Sequence, residues 1–489
     1  MSEPIWPIGL SEASTEDQIC GARNNLAIRP SVVQNSPNDP IPIYAGEIDI
    51  SVDDRTIRDS GIVRFEFLPS AFVGMEIPHP TDIYGHTAHD DVTAQPLGSD
   101  SPVPALLTNS SFTLSRSESS EIGPTSGILQ GLLSFGYESR IGRVRFHLLN
   151  FLDYRGERIH TRTKTGHSVR LGRTKFDMGP WRITLDALPD ARNRLAEANK
   201  VKGYVITHVG NLERRGDGDR LGSLFSAADA EKAFEVLYHV FSFANGSRCG
   251  CILPYGYRHM PTEVARWIRS DWTAPAQRNG TWFASENPSG SFAFANKLFE
   301  LWKNEDERGW LSTAIKLYAE ANRNLSGVDI ELAKSQIALE QLSWEVAQER
   351  QQLVSLDGFE RMAASDRIRL ALMWAGIPTS IPSDMTDLTG VIPKLKDGVL
   401  GPYDGPFAIT EMRNSTIHTT RKKRKRMAAV NDIARFEAWQ LSQSYVALLI
   451  LRLLDYSGPY MPRQTVMKQG PGPVFQGQPR LWSMVPWAN

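Results

Sequence analysis

The hydrophobic pattern changes period once along the chain. Between about residues 45 and 210, short runs alternate apolar and polar side chains, as in Ile62-Val-Arg-Phe-Glu-Phe67. A period of two predicts half-buried strands. Arg143–Leu149, Trp181–Leu185 and Gly203–Val209 repeat it, separated by Gly, Pro, Asn and Asp clusters. This half is expected to be mainly β, a sandwich or a strongly curved sheet. Ser-, Pro- and Thr-rich residues 95–126 are expected to interrupt it as a long connection. Residues 1–44, rich in Pro, Ser and Asn and without periodicity, are expected to form a tail, draped on the surface or left flexible.

At Ser226 the period becomes helical. Ser226-Ala-Ala-Asp229 is an N-terminal capping pattern, and Ala230, Phe234, Leu237, Tyr238 and Phe241 follow at helical spacing. Trp310, Ala314, Leu317 and Ala321 mark a second helix; Leu332, Leu339, Leu342, Val346 and Leu353 mark a longer one. Ser365–Trp374 is another, stopped by Gly376 and Pro378, and Ile377–Pro406 is expected as a Pro-rich connection. Phe407–His418 and Ala428–Tyr456 complete the series. The last is expected to direct Ile433, Phe436, Trp439 or Gln440, Tyr445, Leu448 and Leu451 inward. The fold class is therefore α+β. The expected division is a tail over 1–44, a β-rich sensor or regulatory domain over 45–225, and a helical connecting region over 226–327. A four-helix bundle over 328–460 and a tail over 461–489 follow.

Composition narrows the function classes. The 489 residues are 41% hydrophobic and 22% charged, an ordinary globular balance that excludes fibrous and disordered chains. The formal net charge of −1 excludes a globally basic nucleic-acid binder. Cys20, Cys249 and Cys251 are too few for a disulfide framework and lack zinc-knuckle spacing; the latter two are expected as small buried residues. The N-terminus has neither a basic start nor an apolar core, and the longest apolar run, Tyr445–Leu451, is far short of the roughly 20 residues that span a bilayer. A soluble, cytoplasmic chain without membrane contact is expected.

The chemistry concentrates in Glu411-Met-Arg-Asn-Ser-Thr-Ile-His418 and the following run Arg421, Lys422, Lys423, Arg424, Lys425 and Arg426. Arg413 and His418 lie five positions apart, about 500° around a helix. A guanidinium clamps phosphate oxygens and an imidazole moves a proton near neutral pH. Together they supply what attack by a 2′-hydroxyl on an RNA phosphodiester needs, with Asn414 orienting either group. Six adjacent cations repel one another and favour an anionic partner, and phosphate contacts suit an RNA backbone. The bland alternative is equally physical. His418 caps the last carbonyls of its helix, Arg413 pairs with Glu411 or a neighbouring carboxylate, and the basic run is an exposed, solvated loop.

Spacing alone is weak. Arg155/His160 and Arg162/His167 repeat the interval and Arg140/His147 comes close, but all lie in the strand-rich half, where they are expected as polar residues on strands and turns. His79, His86, His89, Asp90 and Asp91 crowd one segment with spacing too irregular for a metal site. Gly216-Asp-Gly-Asp219 is expected as a hairpin turn, and Trp181, Trp267, Trp272 and Trp282 as core or interface residues.

The context of Arg-Asn-Ser-Thr-Ile-His (413–418), at the end of the third helix of a terminal four-helix bundle, resembles the HEPN superfamily over roughly residues 328–460. A β-rich half before such a bundle also looks like bacterial defence proteins of the ApeA-like kind. The resemblance implies an endoribonuclease of anti-phage defence or abortive infection that needs no metal or other cofactor. Arg413 and His418 would be catalytic, Asn414 supporting, and two motifs would face each other across a homodimer. The β-rich domain would bind a phage-derived trigger. The alternative is a non-catalytic dimerising or ligand-sensing protein that uses the HEPN fold as a docking module. Between Glu411 and Arg426 lie seven Arg or Lys residues and one Glu, a local +6 that leaves −7 on the remaining chain. The near-zero total is a cancellation.

Overall fold

A computed structural model of the chain describes residues 26–52, 55–78, 92–109, 125–163, 166–216, 222–269, 271–277, 280–323, 325–396, 401–417, 420–428, 430–463 and 483–488. The alternating runs near the start become six antiparallel strands: β1 (Ile41–Val52), β2 (Arg55–Glu66), β3 (Phe72–Ile77), β4 (Val92–Pro96), β5 (Val103–Asn109) and β6 (Thr125–Leu129). They close into a barrel in the order β1-β2-β3-β6-β5-β4, which removes the free edges that a curved open sheet would present. Ile48, Ile50, Val63, Phe65, Ile77 and Ala94 fill its interior at strict alternation. Two strands, β5 and the start of β6, thus fall within 95–126, where a connection was expected.

A second, eight-stranded antiparallel sheet follows. Its members are β7 (Ser134–Phe135), β8 (Arg143–Leu149), β9 (Glu157–Thr163), β10 (Gly166–Met178), β11 (Trp181–Ala187), β12 (Ile206–Arg214), β13 (Cys251–His259) and β14 (Thr262–Trp267). The order is β7-β14-β13-β8-β12-β11-β10-β9. Helix α1 (Ala191–Val201) connects β11 to β12, and α2 (Ala227–Asn245) separates β12 from β13. The sheet therefore crosses the expected boundary at residue 225: β13 and β14 pair into it next to β8. The expected cap is present, Asp229 N–H donating to Ser226 Oγ and Ser226 N–H to Asp229 Oδ2, each at 3.1 Å.

Both faces of the sheet are covered. Val144, Phe146 and Leu148 of β8 pack with α2, where Phe146 meets Phe234 edge-on at 5.5 Å between ring centres. Leu149, Ile206, Val209 and Ile252 join the barrel core. Gly210 admits the Phe146 ring; a Cβ there would stand 2.3 Å from its Cζ.

One buried ion pair ties the sheet to the incoming chain. Arg173 and Asp186, opposite each other on β10 and β11 and almost inaccessible, form two 2.7 Å bonds. The same groups hold the incoming chain, Arg173 Nη2 donating to Leu26 O at 2.5 Å and Ile28 N–H to Asp186 Oδ2 at 2.9 Å. Ser31 N–H donates to His147 Nε2 at 3.1 Å. Residues 26–40 are thus strapped across the sheet, closer to the draped alternative than to a flexible tail.

Behind the sheet come α3 (Pro288–Ser291), α4 (Phe294–Trp302), α5 (Glu305–Asn322), α6 (Val328–Trp344) with a π-helical turn at Glu345–Arg350, and α7 (Leu356–Arg361). The series ends with α8 (Ala364–Trp374), α9 (Thr386–Lys396), α10 (Gly405–Ile417), α11 (Arg421–Ala428) and α12 (Asp432–Leu453). Helices α6, α8, α10 and α12 occupy the four expected positions, and α5 and α9 pack with them. Helix α9 lies inside the stretch expected as a connection, its Leu388, Val391 and Leu395 buried. Ile433 is exposed, not inward, because the helix begins at Asp432 and its first buried position is Ala434. Leu353 lies beyond the helix and is 37% exposed. The C-terminal segment is no simple tail: Arg463 is buried, and β15 (Pro459–Tyr460) pairs with β16 (Ser483–Met484). No helix among the described residues is long and apolar enough to cross a membrane.

Removing one partner of a buried ion pair strands the other charge. Asp186→Ala is expected to lower the unfolding free energy by about 3–5 kcal/mol in urea titration. Hydrogen exchange of residues 26–34 should also quicken, since both ties at Asp186 are lost. His147 and His208 supply a pH dependence. Burial pushes both from 6.5 down to about 3, so the folded chain keeps them neutral. The unfolded chain protonates them from about pH 6.5 downward, so stability is lost as pH falls from there toward 3, by about 1.4 kcal/mol per pH unit for each histidine. Denaturant midpoints measured across that window check this, and His208→Phe should flatten the slope.

Candidate functional site

Helix α10 is fixed at its start by charge. Asp404 accepts from Phe407 N–H at 3.1 Å and is clamped by Arg369 of α8 through bonds of 2.8 and 2.9 Å. Ala408, Met412 and Ser415, spaced as one helical stripe, are buried toward the neighbouring helices. That stripe leaves Glu411, Arg413 and Asn414 half-buried on its flank.

Arg413 donates from Nη1 to Asn414 Oδ1 at 3.2 Å, and its Nε is buried without a hydrogen bond. It makes no ion pair among the described residues. The expected alternative, pairing with Glu411, is not what forms. Glu411 instead pairs with Arg426 at 3.3 Å, both side chains largely covered. His418 lies outside the described residues.

The basic run is a helix, α11, rather than a solvated loop. Arg and Lys are good helix formers, and Thr420 starts the helix, its Oγ1 accepting from Lys423 N–H at 3.3 Å. Cations in a first turn oppose the helix dipole, so the helix relies on anchors. These are Arg426 on Glu411, Lys423 Nζ on the Asn414 carbonyl at 3.5 Å, and buried Met427. At its end Arg435 donates to Met427 O at 2.8 Å and pairs with Asp329 of α6 at 2.9 Å. Helix α11 therefore folds back beside the end of α10. Arg421, Lys422, Arg424 and Lys425 face outward.

The arrangement sets Arg413 and Asn414 on the helix against which α11 and its cations pack. Arg369, Asp404 and Arg435, which position it, carry no sequence signal beyond their charge; their partners are 35, 35 and 106 residues away.

The remaining candidates are structural or undescribed. His147 and His208 sit within the sheet, and burial takes His239 down to about 4. Arg155 pairs with Glu286, and Arg162 stands opposite His167 across β9 and β10. Cys249 and Cys251 are buried and their thiol pKa values are pushed up by burial. Trp181, Trp267 and Trp282 are core residues, whereas Trp272 is 43% exposed beneath the Arg248 guanidinium at 3.9 Å. No metal-binding cluster occurs among the described residues. His79, His86, His89, Asp90, Asp91, Cys20 and Asp217–Asp219 lie outside them.

Comparison with known proteins gives a relationship without a chemistry. Residues 136–279 match the YopA central domain and residues 304–471 the YopA C-terminal domain. The chain is 28% identical over 474 residues to the SPbeta prophage-derived uncharacterized protein YopA of Bacillus subtilis (strain 168), covering 95% of this chain and 98% of that protein. No solved structure matches. The C-terminal match contains α10 and α11 whole.

The Glu411–Arg426 pair is predicted to hold α11 in place. Glu411→Gln should cost about 1 kcal/mol of global stability. Exchange of the amides of residues 421–428 should accelerate more than that of α12, which hydrogen-exchange mass spectrometry can resolve.

Proposed function

We propose that the chain is a HEPN-type endoribonuclease of anti-phage defence, acting without a metal through Arg413, His418 and Asn414. The observation that carries this reading is Arg413. It is half-buried, bonded only to its neighbour Asn414, without a carboxylate among the described residues, and set beside a helix of outward-facing cations. A guanidinium so placed is available to a phosphodiester and stabilises the charge that grows on it. In this reading His418 moves the proton of the attacking 2′-hydroxyl, Asn414 holds the Arg413 fork, and α11 carries the RNA backbone.

The composite site of two chains has support in the surface of α6. Ile330, Ile337 and Trp344 recur every seven residues and are 47%, 50% and 38% exposed. Ile433 (57% exposed) joins them near the Arg435–Asp329 pair. An exposed apolar stripe of this kind suits a homodimer. The same stripe favours the second reading, a non-catalytic module that dimerises or docks a partner. In either, the barrel and sheet would bind a phage-derived trigger. The prophage origin of the Bacillus subtilis relative supports a phage setting.

The test is cleavage of RNA by the purified protein in EDTA. Cleavage is expected, with a cyclic phosphate product and a loss of roughly 10²–10⁴-fold in Arg413→Ala and His418→Ala. Combining Arg421→Gln, Arg424→Gln and Lys425→Gln should weaken single-stranded RNA binding and flatten its salt slope by roughly 2, about 0.7 per lost phosphate contact. Ile330→Glu with Ile337→Glu should yield monomers without cleavage. Unchanged cleavage in both alanine variants removes the pair from the mechanism. Dimers that never cleave RNA favour the second reading.

A further inference from the structure

A partly open cavity of about 250 Å³, lined by no residue of α10 or α11, lies between α12, the chain leaving α8, and the C-terminal segment. Trp282, Ile377, Leu441, Tyr445, Leu448 and Tyr460 make its walls apolar, with Ser380 and Ser444 adding hydroxyls. One charge reaches this lining, that of Arg463.

Arg463 is only 2% exposed. Its Nε donates to Gln440 Oε1 at 2.9 Å and its Nη1 to the Gly280 carbonyl at 3.1 Å, while Nη2 is buried without a well-formed bond and the Tyr318 hydroxyl lies close to the guanidinium. Both acceptors are neutral, and the guanidinium pairs with no carboxylate among the described residues. Trp439 offers a ring face at 5.5 Å and Tyr318 favours the charged form, but burial is the larger effect and holds its pKa below the usual arginine range. A buried cation without a counter-charge is costly, and a hydrogen-bonding direction left unused adds to that cost. An anion bound in the cavity would supply the missing counter-charge.

We infer that this cavity is a binding site for a small monocarboxylate with an apolar body, its carboxylate seated on Arg463 and its body against Trp282 and Leu448. A single carboxylate neutralises one guanidinium in matching fork geometry. A phosphate dianion would bring a second, unpaired charge against an apolar wall. The polar head and apolar walls are what a ligand pocket needs to orient one end of such a molecule. The site stands apart from the RNA surface and does not depend on it.

Titration calorimetry of the full-length protein with octanoate, phenylbutyrate and 1-octanol tests this, with intrinsic tryptophan fluorescence compared between the wild type and Trp282→Phe as a second readout. Saturable binding of a carboxylate is expected, with octanol weaker by roughly tenfold or more. Arg463→Gln should abolish that preference and Arg463→Lys should restore part of it. Ser444→Phe, which fills the partly exposed wall without touching the guanidinium, should weaken carboxylate binding and keeps the test available if the Arg463 variants do not fold. Equal binding of octanoate and octanol, no saturable binding of either carboxylate, or unaltered binding by a folded Ser444→Phe overturns the inference.

Discussion

The central strands β8, β12 and β13 of the eight-stranded sheet are buried on both faces, and most of what surrounds them follows from that constraint. Strand β8 sends Val144, Phe146 and Leu148 to the helices and Leu149 to the barrel. Neither layer can be removed without exposing the other side of the same strand. A sheet so enclosed has no water to satisfy its polar groups, so partners must come from the chain itself. Arg173 and Asp186 answer each other across β10 and β11, and their remaining valences bind the backbone at Leu26 and Ile28. The strapped N-terminal segment is therefore part of the interior's hydrogen-bonding scheme.

Helix α12 imposes the same condition on the helical half. From Ala438 to Leu451 all but Ser444 are buried, so no side of the helix is free to be polar without a partner. Gln443 donates to Ser335 of α6 at 2.6 Å, and Gln440 accepts from Arg463. Helices α6, α9 and α10 pack around this core. For α10 the consequence is positional: Ala408, Met412 and Ser415 must face inward, which leaves Arg413 and Asn414 at the margin whatever their role. Core packing thus leaves the candidate residues at the protein's surface, and Arg369, Asp404 and Arg435 set the ends of the elements that carry them.

The parts legible in the sequence are those whose environment has two sides. Ile62–Phe67 alternates because one face of β2 meets the barrel interior and the other does not. The α2 cap reads directly because its two bonds close within four residues. Strand β13 does not alternate, since Cys251–Tyr257 is buried on both faces, and it follows a helix, so it reads as more of the helical half. Residues 26–40 show no periodicity because they are held largely by main-chain and polar bonds rather than by an apolar stripe. Helix α9 is masked by Gly390 and Pro393 within it. For α11, the charge run was visible, but its fold-back depends on Glu411 and Asn414 accepting from Arg426 and Lys423, which spacing along a chain does not encode.

That fold-back changes what the charge run can do. On a loose loop, six cations would spread apart and their field would be diffuse. In α11 two of them are committed to α10, and the outward-facing Arg421, Arg424 and Lys425 are fixed relative to one another and to Arg413. Cations held at helical spacing raise each other's potential, and an anion meeting several at once gains more than from the same charges at random. The rest of the chain, at −7 by formal count, repels the same anion. Attraction at one surface and repulsion elsewhere orient an approaching polyanion as well as bind it. A near-neutral protein can therefore concentrate positive charge at one end of one helix, where the guanidinium of Arg413 has no carboxylate partner among the described residues.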